Sequence, residues 1–284
     1  MLQRQMVSIA LGLAASVSWG LADFIGGAKS RTLDVLAVLA VSQAVALAVL
    51  AVIAVARAEG PPGAEPLLYA AGAGAAGVAG LAALYRGLAV GAMAVVAPIA
   101  ALGAGIPVVV GVLTGDRLAV VQVAGILLAL AGVALAAREE APEKGGVRLA
   151  VGAGLAGAAA LGIGVFLVGM DAAGESDVLW ALLVARLTSV VLLGIAVLAT
   201  RPDLAGTRPH LGAVAAIGLL DLGANALFTL AATEGLVSVA SVCSSLYPVV
   251  TIVLAASVLG ERVRLAQSAG IVLVMLGVVG MAAG

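Results

Sequence analysis

The chain has few of the residues on which soluble enzymes and nucleic-acid binders depend. It holds one histidine and one cysteine, Cys243, in 284 residues. A lone cysteine excludes an intramolecular disulfide and leaves the redox compartment open. With a single histidine, His210, a zinc site built from the usual ligands is not expected. Charged residues make up 10% of the chain, against about 25% in a soluble domain. The net charge of −1 gives no electrostatic footprint for nucleic acid. Neither G-x-S-x-G nor H-E-x-x-H occurs. There is no ATP-binding motif, and no cofactor or metal is expected.

What the chain has in excess is apolar surface: 63% hydrophobic residues and 38 glycines. This is the composition of a membrane protein. Uncharged runs cover 5–22, 35–56, 66–85, 87–115, 118–137, 149–170, 235–260 and 265–284. Each is near the roughly 20 residues that span a bilayer as a helix. Two further apolar stretches, 178–200 and 211–233, are each interrupted by one charge, Arg186 and Asp221. The pattern predicts an all-α membrane protein of ten transmembrane helices. The first stretch has the length of a signal peptide, but the repeat described next makes it part of the fold.

Two glycine patterns, Gly72–Gly77 and Gly152–Gly157, fit G-x-G-x-x-G. A dinucleotide loop needs a preceding strand, a following helix and an acidic residue roughly 20 positions on. After Gly77 the first acidic residue is Asp116, which is too distant. The second pattern follows a short strand-like stretch and has Asp171 in range. Both nevertheless lie inside spanning runs, where an open strand and turn would strand backbone groups in lipid. The glycines are expected to let helices pack closely.

The chain repeats itself. At an offset of 145, Gly115, Arg117, Gln122, Gly125 and Gly132 match Gly260, Arg262, Gln267, Gly270 and Gly277. At nearby offsets Asp34-Val-Leu36 matches Asp177-Val-Leu179, and Gly20 and Phe24 match Gly162 and Phe166. The organisation is a first five-helix unit over 1–137, a polar linker over 138–148 and a second unit over 149–284. An odd number of helices makes the second unit enter the membrane from the opposite side. The two are then inverted repeats, the architecture of alternating-access carriers.

The order of several motifs resembles the drug/metabolite transporter superfamily, in particular its members with two EamA domains. These motifs are Trp19-Gly20, Tyr85-Arg86, Val96-Ala-Pro98, Tyr247-Pro248, and the two Gly-Asp/Glu-Arg turns with their Gln-x-x-Gly followers. The position matching Pro248 is Gly103, with Pro98 and Pro107 on either side of it. The resemblance implies a secondary carrier. Its cavity would be lined by segments 1–4 and 6–9, with segments 5 and 10 peripheral.

Charges within spanning segments are costly, so they are paired or functional. Arg186 and Asp221 both fall near mid-depth. They are read either as a structural ion pair or as substrate ligands, with Arg186 holding an anionic group and Asp221 a cation or proton. Gln43 is the first-half position matching Arg186. Asn225 shares a helix face with Asp221, and Trp19 shares one with Asp23. Asp23 is a second proton-coupling candidate, although its place near a segment end favours an interfacial role. Ser241, Ser244, Ser245 and Pro248 form one stripe of segment 9, with Tyr247 beside it. Pro248, Pro98 and Pro107 are expected to kink or break their helices. Trp180, Arg86 and Glu234 are read as interfacial.

The expected function is secondary active transport of a small polar or amphipathic metabolite, in the manner of an exporter of amino acids or similar compounds. The drive would come from a proton or counter-solute, in a bacterial cytoplasmic (inner) membrane. The other readings are an intramembrane enzyme acting on a lipid-linked substrate and a non-transporting scaffold. For orientation, one side carries Arg4, Arg57 and Arg117, and the other carries the ten remaining Lys and Arg residues outside Arg186. The positive-inside rule then places the linker in the cytoplasm and both termini outside. The family resemblance implies termini inside.

Overall fold

A computed structural model of the chain describes residues 2–90, 93–136, 146–259 and 265–283. All regular structure among the described residues is helical. The first half holds α1 (Leu2–Ser30), α2 (Val35–Arg57), α3 (Ala64–Val90), α4 (Met93–Ala101), a 3₁₀ turn (Leu102–Ala104), α5 (Gly105–Thr114) and α6 (Val120–Ala136). The second half holds α7 (Gly146–Gly174), α8 (Val178–Thr200), a 3₁₀ stretch (Ala205–His210), α9 (Leu211–Glu234), α10 (Val237–Ser244), α11 (Tyr247–Leu259) and α12 (Leu265–Ala283). Six helical stretches are long and apolar enough to cross a membrane: Gln3–Ser30, Val35–Arg57, Ala64–Val90, Gly154–Gly174, Val178–Thr200 and Ala205–Glu234. Shorter apolar helices occupy Ile99–Thr114, Val120–Gly132 and Val237–Thr251. Most of linker 138–148 and the Gly260-Glu261-Arg262 turn lie outside the described residues. Residues 146–148 begin α7.

The internal repeat has structural counterparts. Helices α1 and α7 have 29 residues each, and α2 and α8 have 23 each. Asp34 caps α2 by accepting from the Leu36 and Ala37 amides, and Asp177 caps α8 by accepting from the Trp180 amide. Both helices end at a left-handed residue, Ala58 and Arg201. Packing is reciprocal as well. Helix α1 lies along α9 and α3 along α7, α2 crosses α8, and α6 pairs with α12.

Close approach explains two glycines of the first pattern. A Cβ on Gly74 would strike the Ala185 carbonyl of α8, and one on Gly77 would strike the Phe166 ring of α7. The repeat-related Gly218 of α9 is closed in the same way by the Ser42 carbonyl of α2. The second pattern differs: a Cβ on Gly154 or Gly157 would meet open space. Packing accounts for Gly74 and Gly77, and not for Gly72, Gly154 or Gly157, where a Cβ would meet open space.

The two proline-bearing segments are broken helices. Helix α4, which contains Pro98, gives way to the 3₁₀ turn before α5 begins. Pro107 then falls in the first turn of α5, where a missing N–H costs no helical bond. Between α10 and α11 the break is at Ser245 and Leu246. Pro248 sits in the first turn of α11, and it is the residue type best suited to restart a helix there. The conspicuous Gly115 and Gln122 also gain a reason. Gly115 ends α5 at φ 130°, a region that favours glycine. The Gln122 side chain accepts from the Ala119 amide at 2.9 Å, which is the reach-back half of a capping box for α6.

Candidate functional site

Arg186 is the ninth residue of α8 and Asp221 the eleventh of α9, so both sit well inside their helices. The fold brings them together. Arg186 Nη1 donates to Asp221 Oδ2 at 2.8 Å, and both residues are only 6% exposed. The same carboxylate gathers three more donors. Gln43 Nε2 of α2 lies 3.2 Å from Oδ2, Asn225 Nδ2 lies 3.4 Å from Oδ2, and Trp19 Nε1 of α1 lies 3.2 Å from Oδ1. One carboxylate thus ties four helices from both halves. A buried charge so paired and hydrogen-bonded escapes the large cost of an isolated one. No other described hydrogen bond uses the Arg186 guanidinium.

These groups line a cavity of about 80 Å³, small beside the pockets of about 300–1,000 Å³ that hold drug-sized ligands. Its other walls include Asp23, Gly77, Phe166, Met170, Ser189, Ser245 and Tyr247. Ser189, one turn beyond Arg186, donates to the Gly74 and Ala185 carbonyls at 3.0 Å each. Tyr247 donates to the Ala97 carbonyl at 3.3 Å and so links α11 to broken α4. Helices α6 and α12 supply no described lining residue, and neither do α4 and α5. Tyr247, whose hydroxyl reaches the Ala97 carbonyl of α4, is itself one of the described lining residues.

The reading of Asp23 is corrected. Its stretch was read as ending at the membrane interface, but α1 runs on to Ser30. Asp23 is 5% exposed and faces the cavity. Among the serines of segment 9, only Ser245 reaches the cavity. Ser244 donates to the Ser241 carbonyl at 3.1 Å, while the Ser241 hydroxyl is buried with no hydrogen-bond partner. The stripe is split because the helix breaks at Ser245. Phe166, Met170 and Ser189 were not singled out from the sequence. The signals for them were the Phe24/Phe166 match and the spacing from Arg186.

A second, wider cleft of about 650 Å³ opens near the ends of α2 and α9. It shares Leu182 with the inner cavity. At its rim Arg57 contacts Glu59 and pairs with Asp177 at 2.9 Å. At the same end of the bundle, Asp116 accepts from Ser238 Oγ at 2.6 Å and from the Ser238 amide at 3.2 Å, capping α10 from the other half.

The structure is a bundle of long apolar helices with a buried ion pair at the wall of a largely apolar internal cavity. A model of the EamA-like transporter family matches residues 6–138 and 150–283. The chain belongs to the EamA-like transporter family, in its two-repeat form and within the drug/metabolite transporter class. A solved structure described as "Crystal structure of protein" is similar in fold, with a TM-score of 0.73 at 20% identity over 96% of this chain and 95% of that one. A search of curated proteins returns no match.

Proposed function

We propose that the chain is a secondary carrier that works by alternating access and exports a small polar or amphipathic metabolite of about amino-acid size. In this reading α4 with α5, and α10 with α11, each make one broken passage. The chain then crosses the membrane ten times as two inverted five-helix repeats. Units of 1–137 and 149–284 are joined by 138–148. The observation that carries the reading is the cavity between the halves, with the paired Arg186 and Asp221 at its wall. Broken helices and buried polar groups at a repeat interface are the means by which carriers hold solutes. Asp221 positions Arg186, whose unused N–H groups donate to an oxygen of the solute, and Gln43 and Asn225 hold Asp221 in place. A proton or a counter-solute supplies the drive, and the setting is a bacterial cytoplasmic membrane.

Flux through proteoliposomes, with the solute recovered and weighed by mass spectrometry, tests this. A carrier delivers the solute unchanged across the bilayer. Delivery of a chemically altered product, or no delivery of any metabolite in a broad panel, would reject it.

A further inference from the structure

Three charged residues line the cavity: Arg186, Asp221 and Asp23. The first two are joined by an ion pair and neutralise each other. Asp23 is left over. Its carboxyl makes no hydrogen bond or ion pair among the described residues, although it is 5% exposed and faces the cavity. The one other carboxylate described as buried, Asp221, has four donors. A lone ionised carboxylate in such a place is costly. The space therefore needs one added positive charge.

The groups facing Asp23 supply no such charge. Asp221 of α9 repels it, Tyr85 of α3 and Tyr247 of α11 stand beside it, and the charge of Arg186 of α8 is already balanced by Asp221. The Tyr85 and Tyr247 hydroxyls donate to the Ala22 and Ala97 carbonyls, at 3.5 and 3.3 Å, rather than to Asp23. Three aromatic side chains stand among the mainly aliphatic walls of the space: Trp19, Phe166 and Tyr247. Ring faces attract cations, more strongly when water is excluded.

We propose that Asp23 is the binding group for a protonated organic amine, and that the amine and a proton occupy it in turn. This rests on the carrier reading and narrows its solute to compounds with net charge +1. In the exchange step, R–NH₃⁺ enters the cavity and pairs with the Asp23 carboxylate, and the proton that Asp23 carried leaves to water. Charge in the cavity is unchanged, so the loaded and the protonated forms are equally able to reorient. A zwitterion brings a carboxylate that restores the missing charge, so an amine is preferred to the corresponding amino acid.

The test uses the full chain in nanodiscs in weak buffer with a pH indicator, and the probes are phenethylamine and tyramine, each against phenylalanine and tyrosine. The expected result is release of about one proton per amine bound at neutral pH, with the amino acids at least about tenfold weaker. Asp23→Asn abolishes proton release and weakens amine binding by roughly tenfold or more, a loss of about 1.4 kcal/mol. Asp23→Glu, which keeps the charge, retains proton release, and it serves as the reading if the Asn variant does not fold. No proton release from the wild type with either amine overturns the proposal. So does equal release from Asp23→Asn, or equal displacement by sodium ions. Counterflow in proteoliposomes separates the two levels. Flux of a neutral or zwitterionic solute that survives Asp23→Asn leaves the carrier standing and rejects the role of Asp23. Absence of all flux rejects the carrier itself.

Discussion

A carboxylate with four donors is rigid, and its removal is felt by each of them. Asp221→Ala leaves the Arg186 charge buried and unpaired, which is expected to lower stability by about 3–5 kcal/mol. Replacing both, with Arg186→Met and Asp221→Leu, should recover most of that loss, because no unpaired charge then remains. Thermal unfolding in one detergent compares them, and equal loss in the single and double variants would contradict the pairing. For transport, Arg186→Ala abolishes flux while the protein stays in the membrane. Arg186→Lys keeps the charge and loses the planar fork. We expect its solute affinity to fall roughly tenfold, on the scale of one charge-assisted hydrogen bond of about 1.5 kcal/mol. Undiminished flux in both variants would reject a solute contact. At this scale the sequence revealed the pair, because charges inside apolar runs stand out. It did not reveal that Gln43 and Trp19 reach the same carboxylate, since that contact depends on how helices 178 and 202 residues apart in the chain pack.

Helix ends show most directly how the repeat works. Asp177 caps α8 and pairs with Arg57 across the halves. Partial burial raises its pKa, but the Trp180 amide and the Arg57 guanidinium more than offset this, and the net value is below the ordinary carboxylate range. A depressed folded value means the contribution is complete above the unfolded pKa of about 3.9 and is lost as pH falls through the folded one. The unfolding midpoint of Asp177→Ala should therefore trail the wild type by a constant gap from about pH 7 to 5, and the gap should close only in stronger acid. A gap that widens on acidification would contradict the sign. Asp116→Ala removes the acceptor that caps α10 from the other half, at a cost of about 1–2 kcal/mol. Increased accessibility of a cysteine placed at Ser238 is expected with it. The sequence announced the matched Asp34 and Asp177, and Gly115 with Gln122, as repeats without saying what they do. Caps depend on local backbone geometry, so their partners were readable only once the helix ends were in place. The break at Ser245 was anticipated from Pro248 only as a kink, because the proline marks where the new helix starts rather than where the old one stops.

Across the whole molecule, apolar runs marked where helices lie, although the runs 87–115 and 235–260 are each broken into shorter helices, and the Gly-Asp-Arg and Gln-x-x-Gly registers marked the two halves. Burial of Asp23 was not legible, because α1 continues past the first apolar run, 5–22, to Ser30. The charge count, Arg4, Arg57 and Arg117 on one side against ten cations on the other, favours the linker in the cytoplasm, while the family implies termini inside. A cysteine at Lys144, a position outside the described residues, in a Cys243→Ser background should resist an impermeant reagent added to intact cells. Ready labelling would reverse the orientation. The central claim is that the cavity beside Arg186 and Asp221 carries solute through alternating access. Counterflow measures it most directly: proteoliposomes preloaded with unlabelled solute are diluted into a trace of the same solute carrying label. The account predicts a transient overshoot of label inside vesicles holding the wild type, and none in vesicles holding Arg186→Ala. An overshoot of equal size in that variant, or none in the wild type for any solute that crosses, would contradict it.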